Sequence, residues 1–186
     1  MILVCGTGRC GSSETARILH EELGVDMGRV HHIGDEFNPK GYFEDREFQS
    51  LHLSFHLMHL DSKEGEDYPH RYKLWKEQFD KLIATKKEPW GLKDPGIADM
   101  PLLLDEYMSL NPKIIVCTRD REEAIDSFTK FKNITRKEAE KLVDKRQRHL
   151  YKTLSDKVFT TVQCNQPYEN KVKQLTKWYD IFGDSL

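Results

Sequence analysis

Residues Met1 to Ser13 limit what this chain can fold into more than any other stretch. Ile2-Leu3-Val4-Cys5 is an apolar, partly β-branched run of buried-strand length, and Gly6-Thr7-Gly8-Arg9-Cys10-Gly11-Ser12-Ser13 follows at once. Glu14 to Leu23 then sets Ala16, Leu19 and Leu23 at helical spacing. A strand that runs through a tight glycine turn straight into a helix leaves several backbone N–H groups unpaired. It aims them, with the positive end of the helix dipole, at one point. The glycines let the backbone approach a ligand closely, and the ligand this favours is a phosphate or a sulfate.

The stretch departs from the common phosphate loop in an informative way. The pattern G-x-x-x-x-G-K-[ST] places Lys after its second glycine; Gly6 and Gly11 have that spacing, but Ser12 stands where Lys would. The positive charge sits inside the loop instead, at Arg9, with hydroxyls at Ser12 and Ser13 on the first helical turn. Such a site suits one terminal phosphate and its neighbour better than a triphosphate on magnesium. The competing reading is a plain connecting turn.

The 186 residues fit a single domain, 1–186, and 38% apolar with 32% charged residues reads as globular. A formal net charge of −2 argues against affinity of the whole surface for nucleic acid or anionic membrane. No charged leader precedes an apolar segment and no apolar run reaches about 18 residues, so the expectation is a cytoplasmic chain. Cys5, Cys10, Cys117 and Cys164 show neither C-x-x-C nor zinc spacing. Cys5 and Cys117 lie in apolar runs and read as buried thiols. Cys10, beside Arg9 in a loop of donors, is either a small residue that fits the turn or a thiol of lowered pKa.

Further along, Val30 to Ile33 suits a short strand, and Gly34 to Asp45 is a turn-rich segment of carboxylates and aromatics that reads as a substrate lip. Asp45 to Leu60 reads as a largely buried helix with two apolar stripes, Phe48, Leu51, Phe55 and Met58 in one and Leu53, Leu57 and Leu60 in the other. His52, His56 and His59 lie between them. They read as satisfied core or rim residues; lining an acceptor pocket, or holding zinc with ligands from elsewhere, are the alternatives. Asp61 to Asp67 is a charged turn. Tyr68 to Ala84 reads as an amphipathic helix, Trp90 to Lys93 as a brief strand, Met100 to Leu110 as a helix and Lys113 to Thr118 as a central strand. Glu122 to Lys132 is helical, and Thr135-Arg136-Lys137-Glu138 is a capping box opening a further helix, whose basic run Lys145-Arg146-Gln147-Arg148 reads as a solvated face. Val158 to Val162 and Tyr168 to Phe182 supply a last strand and helix. This alternation implies an α/β fold: a mostly parallel sheet of about five strands, helices on both faces, ligands at the carboxyl ends of the strands. The glycine loop, the carboxylate loop, Lys93 and Arg119 would then share one edge.

Arg119 ends the central strand, and Ser127 follows eight residues later on the next helix. An arginine and a serine so placed can close on a further phosphate, although an Arg–Asp surface pair explains them equally well. Together with the lysine-free loop, the pair resembles the sulfotransferases that use 3′-phosphoadenosine 5′-phosphosulfate. Arg9-Cys10-Gly11-Ser12-Ser13 is similar to that family's [RK]-x-G-[ST]-[ST] core, and Arg119 with Ser127 to its R-x7-S element. Asn38-Pro39-Lys40-Gly41-Tyr42-Phe43-Glu44 and Trp90-Gly91-Leu92-Lys93-Asp94-Pro95 resemble N-P-x-G-[FY]-x-E and W-G-x-K-D-P segments of its bacterial and Golgi-like branches. The resemblance covers residues 1–130 and implies a phosphate-loop NTPase-like architecture.

It also implies that Gly8, Arg9, Cys10, Gly11, Ser12 and Ser13 hold the 5′-phosphosulfate while Arg119 and Ser127 hold the 3′-phosphate. The acceptor would be a small molecule or carbohydrate, with neither nucleic acid nor membrane as partner and no metal required. Arg9 and Lys93 would neutralise charge on the departing phosphate. Pro95 stands where the cytosolic branch keeps the neighbourhood of its histidine base, which leaves a carboxylate for that role: Glu44 first, with Glu36 and Asp35 in reserve and the three histidines of the 45–60 helix behind them. Glu44 serves equally well as a carboxylate satisfying the dipole of the helix that follows. Two rival functions stay open, a phosphate-loop nucleotide kinase or hydrolase and a nucleotide-binding protein of this fold without transfer.

Overall fold

The structure, a computed structural model, describes residues 1–28, 34–61 and 68–182. Among these residues four strands form one all-parallel sheet: β1 (Ile2–Gly6), β2 (Gly91–Lys93), β3 (Lys113–Thr118) and β4 (Phe159–Gln163), in the order β2-β1-β3-β4. Val4 lies beside Lys93 on one side and Ile115 on the other, and Ile115 beside Thr160. Because successive strand residues point to opposite faces, Leu3, Cys5, Leu92, Ile114 and Val116 enter one apolar layer, and Ile2, Val4, Ile115, Cys117 and Val162 the other. Both faces are covered, which is why these strands read as continuous apolar runs.

The described residues form seven helices: α1 (Ser12–Glu21), α2 (Arg46–Asp61), α3 (Tyr68–Ala84), α4 (Pro101–Met108), α5 (Arg121–Lys132), α6 (Arg136–Thr153) and α7 (Tyr168–Phe182), with a 3₁₀ turn at Pro95–Asp99; α5 packs on α6. Phe55, Trp75, Phe79, Leu104, Tyr107 and Leu150 bring α2, α3, α4 and α6 to the first face; Ala16, Leu19, Leu175 and Trp178 bring α1 and α7 to the second. The result is a three-layer α/β arrangement. No helix among the described residues is long and apolar enough to cross a membrane.

Most expected elements are present, and the helices at Tyr68–Ala84 and Tyr168–Phe182 keep their expected bounds. The capping box opens α6: Glu138 donates its N–H to the Thr135 hydroxyl at 3.3 Å and accepts from Thr135 N at 2.8 Å. The expected strand at Val30–Ile33 lies outside the described residues, as does nearly all of the Asp61–Asp67 turn. The largest correction is to α2. Phe48, Leu51, Phe55 and Met58 are buried, but Leu53 is 59% and Leu57 49% exposed, so one stripe is inward and the other is not. The cause is one-sided packing: the Trp75 indole donates to the Leu51 carbonyl at 3.0 Å and its ring lies 4.6 Å from Phe55.

Strand order fixes where a ligand can sit. After β1 the chain runs to β2 on one side of it and then to β3 on the other, so the connections diverge between β1 and β3. A parallel sheet opens a crevice at the carboxyl edge where its order reverses. The glycine turn leaves β1 and Arg119 leaves β3, on either side of that crevice.

Candidate functional site

Between β1 and α1 the backbone turns through left-handed conformations at Gly8 (φ 84°), Arg9 (φ 53°) and Gly11 (φ 80°). Side chains are excluded at the two glycines by their neighbours as well as by their angles. A Cβ on Gly8 would lie 2.5 Å from Arg146 Nη1, and one on Gly11 would lie 3.1 Å from Cys164 Sγ and 3.3 Å from its Cα. The helix starts at once, Thr15 N donating to Gly11 O at 3.1 Å, and among the described residues no side chain caps its first turn. Those N–H groups face a cleft of about 520 Å³ at the carboxyl edge of the sheet.

Five basic side chains line that cleft: Arg9, Lys93, Arg119, Lys132 and Arg146. Arg9 donates from Nε to the Ser127 hydroxyl at 3.0 Å and from Nη2 to the Phe37 carbonyl at 3.2 Å, with its guanidinium 4.6 Å over the Phe131 ring. Arg119 donates from Nη1 to the Arg9 carbonyl at 3.1 Å and pairs with Glu123 at 3.1 Å. Arg119 and Ser127 thus both reach Arg9, which places the two expected anion cradles side by side.

Lys93 and Glu44 meet in an ion pair, with the lysine side chain only 2% exposed. The other Glu44 oxygen accepts from the Gln49 amide. The helix-dipole role falls to Asp45, which accepts from Glu47 N at 2.8 Å and Phe48 N at 3.3 Å and pairs with Lys86 at 3.0 Å. Asp35 is a turn former. It accepts from Phe37 N at 2.9 Å, from Asn38 N at 2.7 Å and from the Tyr42 hydroxyl at 2.5 Å, and the Tyr42 bond holds its carboxyl below the usual range. Burial and the same bond push the Tyr42 phenol up to about 12. Glu36 is exposed and does not line the cleft. Cys10 is buried, and burial raises its pKa against the pull of the backbone at Gly8 and Ser12 and of Lys93; the lowered thiol is not what the structure shows.

The histidines of α2 separate. His52 is buried, its Nε2 2.6 Å from the Tyr107 hydroxyl and its Nδ1 paired with Asp94, so it is a satisfied core residue. His56 is exposed, and the side chain of His59 lies outside the described ones. Burial works to raise the Asp94 carboxyl, but His52, the Gly96 N–H at 2.6 Å and Lys93 outweigh it and hold the group low. No cluster of three His, Cys, Asp or Glu side chains able to hold a metal occurs among the described residues.

Arg146, read from the sequence as part of a solvated face, lines the cleft. It is 7% exposed, not solvated, because it lies under the glycine turn: its Nη1 donates to the Thr7 carbonyl at 3.1 Å and its Nε to Asp99 at 3.0 Å. The signal was there in the spacing, since Arg146 falls between Val143 and Leu150 on the buried stripe of α6. Lys171 is a second such cation, buried beneath the turn after β4, where it donates to the Cys164 carbonyl at 2.6 Å and pairs with Glu14. Phe37 and Phe131, edge to face at 5.3 Å, flank the cleft mouth and carry no pattern of their own. Set against known proteins, the chain matches no protein-family model and no curated protein.

Proposed function

We propose that this protein transfers a sulfuryl group from 3′-phosphoadenosine 5′-phosphosulfate to a hydroxyl or amine, on a phosphate-loop NTPase-like scaffold. The observation that carries the reading is the convergence of a lysine-free glycine turn and Arg119 on one cleft at the divergence point of the sheet. The residues present fit such a nucleotide. Two glycines leave room against the backbone, no side chain among the described residues caps the first turn of α1, and five cations face a cleft whose lining carboxylates are Glu14, Glu44 and Asp94.

When bound, the nucleotide supplies an activated sulfuryl group, whose bond to a phosphate oxygen breaks as a bond to the acceptor oxygen or nitrogen forms. The chain's own groups then divide the work. Backbone N–H groups of residues 10–13 and the Arg9 guanidinium hold the 5′ side and stabilise charge growing on the departing phosphate. Arg119 and Ser127 take the 3′-phosphate, the arginine by its fork of donors. Lys93 adds a positive charge near the loop, and Glu44 accepts the proton the acceptor gives up.

Calorimetry with 3′,5′-bisphosphoadenosine and with ATP, each with and without magnesium, tests the reading. The bisphosphate should bind at least about tenfold more tightly than ATP under either condition. Magnesium-dependent ATP hydrolysis, or preference for the triphosphate, would mean a kinase or hydrolase instead.

A further inference from the structure

In the arrangement described above both oxygens of Glu44 already accept hydrogen bonds, with which a proton from the acceptor has to compete. One accepts from Lys93 and the other from Gln49. Lys93 in turn has little choice of partner. Its side chain is buried, and an ammonium out of water needs a counter-charge, which the partly buried Glu44 supplies. The Tyr42 ring also lies 5.8 Å from the ammonium, and Lys93 helps hold the adjoining Asp94 carboxyl low.

The glycine turn offers Lys93 a second partner once it is loaded. Lys93 sits beside Val4 in the sheet, two residues before the turn begins, and its charge is felt at the Cys10 thiol within the turn. An anion on the loop N–H groups therefore competes with Glu44 for the same ammonium. We infer that the Lys93–Glu44 ion pair is a latch: it keeps the carboxylate closed until an anion seated in the glycine turn draws Lys93 away. The inference rests on the nucleotide reading, from which the following experiment separates it.

Calorimetric affinity for 3′,5′-bisphosphoadenosine is measured on the wild type, Glu44→Gln, Lys93→Met and the double variant. Glu44→Gln removes the competitor and should tighten binding about tenfold, while Lys93→Met should weaken it. In the Lys93→Met background the glutamine should change affinity by less than about twofold, because its effect passes through Lys93. An unchanged or weaker affinity in Glu44→Gln overturns the latch. So does an equal gain with Lys93 absent, which would mean simple relief of charge repulsion. Should Lys93→Met fail to fold, Glu14→Gln replaces it as the control: it removes a carboxylate of the same cleft, paired to Lys171 and not to Lys93. A gain there equal to that of Glu44→Gln would also overturn the latch. No bisphosphate binding by the wild type would instead remove the donor reading, and the latch with it.

Discussion

Replacing Arg119 with alanine is expected to weaken binding of 3′,5′-bisphosphoadenosine about a hundredfold, and to change affinity for adenosine 5′-phosphosulfate by less than about threefold. The difference between the two ligands is a single 3′-phosphate. Arg119 emerges from β3 on the far side of the crevice from α1, its side chain 28% exposed and its Nη1 anchored to the Arg9 carbonyl at 3.1 Å. Truncating one partner of a hydrogen-bonded charge pair in such a setting costs about 2–5 kcal/mol, and a hundredfold lies within that range. Because Arg119 also steadies the loop, some loss for both ligands is expected, and the ratio between them carries the information. Equal losses would make Arg119 a loop prop and nothing more.

Arg146→Ala should produce the largest loss of stability of any substitution at the site. The guanidinium bridges the Asp99 carboxylate and the Thr7 carbonyl, with the Phe128 ring 5.2 Å away. Alanine leaves that carboxylate and that carbonyl without a partner beneath the turn, together with a void. Breaking a buried pair by removing one member costs about 3–5 kcal/mol; with Asp99 29% exposed, the lower end applies. For a chain of this size about 3 kcal/mol lowers Tm by roughly 6–12 °C, and thermal unfolding followed by circular dichroism reads it directly. A fall of less than about 2 °C would show that Arg146 does not hold the turn.

The parts of this molecule that follow from local pattern could be read from the sequence. β1 and β3 announce themselves as apolar runs, α6 by its capping box, and α3 and α7 by spacing that burial of Trp75, Phe79, Leu175 and Trp178 accounts for. The glycine turn was legible for the same reason, being built from consecutive residues. What a linear pattern does not carry is which partner fills which face. Leu53 and Leu57 have the composition of core residues, yet α3 and α4 pack on the other side of their helix. Arg146 has the composition of a surface residue, yet Asp99, 47 positions away, and the Thr7 carbonyl, 139 away, draw it inside. Glu44 reads from the sequence as a carboxylate in a lip, but its partner Lys93 lies 49 positions away on β2. Charge pairs across long sequence separations are tertiary facts.

Two anion cradles on one nucleotide are the core of this account. Electron density for a crystal of the protein grown or soaked with 3′,5′-bisphosphoadenosine tests them together. The account predicts one molecule in the cleft, its 5′-phosphate on the backbone N–H groups of residues 10–13 and its 3′-phosphate within hydrogen-bond distance of Arg119 and Ser127. A 5′-phosphate in the turn with the 3′-phosphate directed to solvent, away from both side chains, would contradict it.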